Sequence, residues 1–352
     1  MNHFRFYQKS DVLSLTRIRR YETKLGEKIR VISDSLHPFD SLVSNPARYV
    51  LFGIPEHLGV MGNYGRPGAE TAWLPFLKSL LNIQGTDDFT GEEIVLLGAF
   101  DFSDLSSMIQ ENARNEDERV DACRHAVANV IDNEVEELVK IISAAGKIPI
   151  AIGGGHNNAY PLIKGAAKGL AKTGKIPGVT LNVINLDAHA DYRIMEGRHS
   201  GNPFRYAREE GYLHRYAVIG LHENYNSQSM MDDLYSNADN HYSTYEDIFV
   251  RERLNFTQAV AQALGFTEDG HVGIELDLDS LQEVLSSAQT PCGVSTVFAR
   301  QYLSFVATDA KCAYLHICEG AADLNGNHSD TIGKLIGYLV SDFVKASKES
   351  ES

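Results

Sequence analysis

The sequence predicts an α/β protein, a three-layer α/β/α sandwich around a mainly parallel sheet. Three observations predict it. Short apolar, β-branched runs recur at 49–54, 94–98, 148–152, 179–184, 216–221 and 312–317, the pattern of strands buried on both faces. Between two of them, Val127, Val130, Ile131, Val135, Leu138, Val139 and Ile142 fall three or four apart, which marks one face of an amphipathic helix over 119–145. Acid- and histidine-rich stretches follow several of the strands, and an open parallel sheet gathers its ligands beyond the strands' carboxyl ends.

Residues 1–47 read as an extension packed on the domain, with a helix over 11–20. Its cluster Arg17-Ile18-Arg19-Arg20 reads as a solvated face or a subunit contact. The first core strand, 49–54, leads into Pro55-Glu56-His57 and the turn-rich loop from Gly65 to Ala69. His57 reads as a structural residue. The strand 94–98 and the long helix follow, and Gly146 is placed to cap that helix. After strand 148–152 comes Gly153-Gly154-Gly155-His156, then a helix from about residue 158. The glycines let the backbone turn tightly and deliver one side chain to a fixed point. Neither the GxGxxG spacing nor the Lys-Ser/Thr of a nucleotide loop is present.

Strand 179–184 gives way to Asn185-Leu186-Asp187-Ala188-His189-Ala190-Asp191. Spacing of i, i+2 and i+4 puts Asp187, His189 and Asp191 on one side of an extended chain. Such convergent acceptors repel one another unless a cation sits between them. The stretch 271–279 is again a strand, ending in Asp277 and Asp279. Six candidate ligands result: His156, Asp187, His189, Asp191, Asp277 and Asp279. They are too many for one zinc ion, and the oxygen-rich set suits two neighbouring hard divalent ions, Mn2+ before a thiolate-loving metal.

The polar loop from Tyr192 to Arg205 should meet a substrate, and Arg193 is placed to clamp a carboxylate bidentately. His222-Glu223-Asn224-Tyr225, after strand 216–221, is expected along the same pocket, whereas 232–239 reads as a surface connection. Strand 312–317 ends at Cys318-Glu319. A helix over 330–346, capped by Ser329, completes a domain of 48–346, and 347–352 reads as a disordered tail. No repeat or linker divides the chain.

With 352 residues and 43% hydrophobic content the chain can bury a sizeable core. Its net charge of −15 argues against nucleic-acid binding. Only four of its 47 acids are candidate ligands, so the site does not account for the acidity. Cys123, Cys292, Cys312 and Cys318 form no CxxC pair and read as reduced thiols. Basic residues break up any secretory signal, and Lys334 and Asp342 interrupt the most apolar late helix. These features point to a cytoplasmic protein without a membrane span.

The segments Gly153-Gly154-Gly155-His156, Asp187-Ala188-His189-Ala190-Asp191 and Asp277-Leu278-Asp279, in this order, resemble those of the ureohydrolases: arginase, agmatinase and formimidoylglutamase. Gly53-Ile54-Pro55 followed by Arg66-Pro67-Gly68-Ala69 is similar to their opening loop. The resemblance implies an arginase-like fold with two Mn2+ per chain, other divalent metals being possible, and a homo-oligomer. It implies that His156, Asp187, Asp191 and Asp277 hold one ion, and that Asp187, His189, Asp277 and Asp279 hold the other. It further implies that Asp279 orients a hydroxide and shuttles a proton, and that Glu319 faces the cationic end of a small amidine or guanidine substrate.

Arginases and agmatinases carry a catalytic histidine in an HGxP setting, where this chain has Ser200-Gly201-Asn202-Pro203-Phe204. That form, with Asp191-Tyr192-Arg193, looks more like formimidoylglutamase. Arg193, His199, Ser200 and Asn202 are therefore expected to bind substrate, although His199 stands one position from the arginase histidine. The resemblance implies formimidoylglutamate as first substrate, with arginine or another guanidino compound as alternative. The family's DxDxxDP departs here to Ser280-Leu281-Gln282-Glu283 after the two aspartates. A zinc deacetylase of related fold would leave His156, Asp191 and Asp279 superfluous, and six retained ligands weigh against a silent metal-binding relative.

Overall fold

The computed structural model describes residues 1–324, 326–328 and 331–349. Nine strands form one sheet: β1 (Phe4–Phe6), β2 (Tyr49–Gly53), β3 (Ile94–Phe100), β4 (Ile148–Ile152), β5 (Leu181–Leu186), β6 (Leu213–Leu221), β7 (Asn240–Thr244), β8 (Val272–Asp277) and β9 (Cys312–Cys318). Their spatial order is β1-β3-β2-β4-β9-β8-β5-β6-β7. All pairings are parallel except β1 with β3. The expected three layers follow from strand periodicity. On β2, Tyr49 and Leu51 enter one core with Phe76, Phe256, Tyr302 and Phe343, while Val50 and Phe52 enter the other with Val135, Ile163 and Phe204.

Several elements differ from the sequence expectation. The first helix is Lys9–Leu15, so the basic cluster at 17–20 lies beyond it. The long helix is Glu116–Ala126 and Asp132–Ala144, joined by a π turn over Val127–Ile131. The surface connection at 232–239 is mostly the helix Gln228–Ser236, started by the Ser227 side chain accepting from the Met230 N–H. The last helix runs Ile332–Glu349 and takes in the first three residues of the expected tail. Residues 350–352 and the proposed Ser329 cap lie outside the described residues. No helix of the described residues is long and apolar enough to cross a membrane.

The N-terminal extension contributes an edge strand that the sequence reading omits. Gly98 makes its docking possible. The φ of Gly98 is +148°, and a Cβ there would sit 1.9 Å from the Arg5 carbonyl oxygen. Gly98→Ala should therefore loosen β1 and cost about 2 kcal/mol, read as a lower Tm. An unchanged Tm would mean that this edge strand adds nothing to stability.

Candidate metal centre

The four strands that end in the candidate residues are the four central neighbours, β4-β9-β8-β5. Their carboxyl ends therefore lie side by side, about 4.8 Å apart from strand to strand. His156 follows β4, Glu319 follows β9, Asp277 closes β8, and Asp187 follows β5. Gly153 and Gly154 take φ of +89° and +74°, which turns the chain sharply after β4. Asp191 and Glu319 also hold positive φ, 46° and 62°, values unusual for residues with a Cβ. Such strain persists only where surrounding contacts over-determine the backbone.

All six candidate ligands converge. The donor atoms of His156, Asp187, Asp191 and Asp277 lie within 4.8 Å of one another, as do those of Asp187, His189 and Asp279. Asp187 is common to both groups. Asp277 stands only in the first; its Oδ1 accepts the Asp279 N–H at 2.8 Å and its Oδ2 faces His156. Nδ1 of His156 lies 3.1, 3.0 and 3.1 Å from oxygens of Asp187, Asp191 and Asp277. It nevertheless makes no hydrogen bond, although it is fully buried. Donors about 2.1 Å from an octahedral divalent ion stand about 3 Å apart, so these residues fit a hard cation. Behind His156, Nε2 is 3.5 Å from Glu275, the outer carboxylate that a metal-bound imidazole usually has.

The electrostatics agree with that fit. Burial, then the charges of Asp279 and Asp187, raise the Asp277 carboxyl well above its ordinary value. Burial and the Asp187 charge push Asp191 up to about 6. Burial opposes the charge on His156 and His189, yet the surrounding acids hold both imidazoles well above the usual range. Asp187, flanked by both histidines, is held low against the opposing effect of burial. Bound cations would relieve the crowding of these buried carboxylates and would take the place of the imidazole protons.

A cavity of about 200 Å³ opens beside these residues, lined by His189, Asp191, Asp277, Asp279, Glu319 and Ser287 among others. Glu319 is buried; its Oε1 accepts the His156 N–H at 2.8 Å and its Oε2 accepts the Ser287 hydroxyl at 3.0 Å. Burial, then the Asp279 charge, push its carboxyl up to about 8. Arg193 and Ser200 also line the cavity. Arg193 donates to Asn63 Oδ1 at 3.2 Å and to Glu196 Oε1 at 3.0 Å. A larger groove, about 1370 Å³, lies elsewhere, along the helices Trp73–Leu80 and Ile332–Glu349.

His199 and Asn202, expected to bind substrate, are buried beside the cavity and are not among the residues that line it. The His199 Nδ1 accepts the Gly201 N–H at 3.1 Å, and its Nε2 lies 2.9 Å from Asn202 Nδ2. Burial, with Arg124, Arg193 and Arg198 nearby, lowers its pKa to about 3. Asn202 accepts from Arg198 and donates to the Gly197 carbonyl. Arg198 pairs bidentately with buried Asp132, just past the π turn, and donates to the Asn157 carbonyl. These three residues brace the loop through their hydrogen bonds. His57, half-buried at the end of the first core strand's loop, has its Nδ1 2.8 Å from Glu70 Oε2.

Besides Asp132, two buried acids escaped the sequence reading. Glu56 accepts from the N–H groups of Gly59 and Gly155 and from the amides of Asn157 and Asn158, which ties the glycine turn to the opening loop. Glu275 lies opposite His316 in the β8–β9 register and accepts from His316 Nδ1 and the Tyr314 hydroxyl, both at 2.7 Å. Glu275 left a signal: a lone acid inside an apolar strand must find buried partners.

The arginase family model matches residues 47–334. The formimidoylglutamase of Rhodococcus jostii is 26% identical over 308 residues, covering 84% of this chain and 86% of its own. That of Corynebacterium efficiens is 27% identical over 222 residues, covering 61% of this chain and 66% of its own. Among solved structures, formimidoylglutamase from Bacillus subtilis superposes with a TM-score of 0.73 at 18% identity, covering 96% of this chain and 95% of that one. Trypanosoma cruzi formiminoglutamase with Mn2+ gives 0.64 at 21% identity, covering 88% and 97%.

Proposed function

Because the chain belongs to the arginase family, we propose that it is a binuclear manganese hydrolase that converts formimidoylglutamate and water to glutamate and formamide. The observation that carries this reading is the buried His156 Nδ1, faced by three carboxylate oxygens at 3.0–3.1 Å without a hydrogen bond to any. The relatives named formimidoylglutamase support the substrate, as does Ser200 where arginases carry histidine. His156, Asp187, Asp191 and Asp277 would hold one ion. Asp187, His189 and Asp279, with Asp277, would hold the other. A pair of divalent cations supplies the charge that makes water a competent nucleophile near neutral pH.

The remaining tasks fall to the chain's own groups. The Glu319 carboxylate, oriented by the His156 N–H and Ser287, pairs with the amidinium and presents the face of its carbon. Asp279 Oδ1 is buried and makes no hydrogen bond, so it is free to take a proton from the attacking water and return it to the leaving amine. Arg193, at the cavity wall, would pair with a substrate carboxylate.

The Mn2+-loaded protein should release formamide from formimidoylglutamate and leave arginine and agmatine intact. Urea release from arginine in preference would overturn the substrate assignment. Arg193→Lys removes the planar fork, and a lost hydrogen bond between charged groups is worth about 1.5–3 kcal/mol. The variant should raise KM for formimidoylglutamate about tenfold or more with metal content unchanged. Wild-type kinetics would make Arg193 a surface charge only.

A further inference from the structure

We propose that Tyr225 is a positioning residue for His189, an inference that rests on His189 being a metal ligand as read above. The other histidine ligand is held from all sides: His156 is fully buried, with Phe204 edge-on at 5.2 Å and Glu275 behind it. His189 is different. Its side chain is 27% exposed. Its Nδ1 faces Asp279 and Asp187 at 3.4 and 3.7 Å, and among the described residues no outer carboxylate stands behind its ring as Glu275 stands behind His156. A metal-bound imidazole ordinarily donates its second N–H to an outer partner that fixes its plane. Here a ring takes that place.

Tyr225 stacks on His189 with centroids 5.5 Å apart and 24° between planes. It also stacks on His222 at 5.1 Å and 3°, and His222 in turn packs on Tyr245 at 4.6 Å. The Tyr225 hydroxyl lies 3.3 Å from the Thr290 hydroxyl, in the loop beyond Asp279. Independently of the rings, the same turn clasps the backbone on both sides of His189. The His222 N–H and the Asn226 side chain donate to the Ala188 carbonyl, and the Asn226 Oδ1 accepts the Ala190 N–H. The turn at 222–226 thus holds His189 by its backbone, and Tyr225 holds the plane of its imidazole. Offset ring stacking restricts that plane without needing a hydrogen bond.

The test is manganese titration by calorimetry with elemental analysis, on the intact protein and on Tyr225→Ala, Tyr225→Leu, Tyr225→Phe and His189→Ala. Tyr225→Ala should bind one ion as the wild type does and the other about ten- to a hundredfold more weakly. Tyr225→Leu keeps apolar bulk without a flat ring and should match alanine. Tyr225→Phe should restore both sites. Wild-type affinity at both sites in Tyr225→Ala overturns the proposal, as does a phenylalanine variant no better than alanine. If His189→Ala itself keeps both ions, the metal-binding reading fails. If His189→Ala loses one ion while Tyr225→Ala loses none, only the role of Tyr225 fails.

Discussion

Replacing Asp277 with asparagine should give a folded protein that holds neither manganese firmly and turns over at least about a thousandfold more slowly, since one transition-state donor alone can be worth 10²–10³. Asp277 closes the central strand β8 with one oxygen on the Asp279 N–H and the other toward His156. An amide in its place leaves the first group of donors one charge short and disturbs the turn that carries Asp279. The effect on stability should have the opposite sign when metal is absent. Burial and the charges of Asp279 and Asp187 disfavour an ionised Asp277, so asparagine removes a repulsion and the metal-free variant should melt no lower than the metal-free wild type. Added Mn2+ should then raise the wild-type Tm, as any ligand of the native state does, and leave the variant's unmoved. Scanning calorimetry with and without Mn2+ reads both signs. A variant that keeps two ions and its turnover would sink the metal centre.

Glu319→Gln should retain both ions and lose about a hundredfold in kcat/KM for an amidinium substrate. The carboxylate reaches the cavity from a left-handed turn after β9 and is oriented by the His156 N–H and the Ser287 hydroxyl. Glutamine keeps that shape, and its carbonyl can still accept from His156. It lacks the charge, and a charge-assisted hydrogen bond is roughly twice as strong as a neutral one. Poorer orientation of the attacked carbon adds to the loss. Metal loss in this variant would make Glu319 a ligand, and unchanged turnover would make it a bystander. Wild type and variant must be compared at saturating Mn2+ so that occupancy does not enter kcat/KM.

Legibility in the sequence followed burial. Strands β2, β4, β8 and β9 are readable because strands covered on both faces are nearly continuous apolar runs. The six candidate ligands are readable because acids and histidines placed directly after such runs have no packing role. The edge strands β1 and β7 are not. Asn240–Thr244 is half-buried and reads Asn-His-Tyr-Ser-Thr, and only its pairing with β6 makes it a strand. His199 and Asn202 sit in a loop of the right composition, and nothing local tells a side chain facing a cavity from one bracing its wall. Their direction is set by Arg198, which is anchored on Asp132, 66 positions away.

What the sequence determined by itself is the chemical inventory: which strands are buried, and which oxygen and nitrogen donors stand at their ends. These are local properties, fixed by hydrophobic period and by residue type. Only the tertiary structure decided which ends are neighbours. By inserting β9 and β8 between β4 and β5, the sheet order brings His156 against Asp187, Asp191 and Asp277, and Glu319 against the His156 backbone, 163 positions away. Strand order depends on helix packing across both faces of the sheet and leaves no mark in any one segment. The same holds for the turn at 222–226, whose aromatic residues acquire a purpose only because β6 lies beside β5.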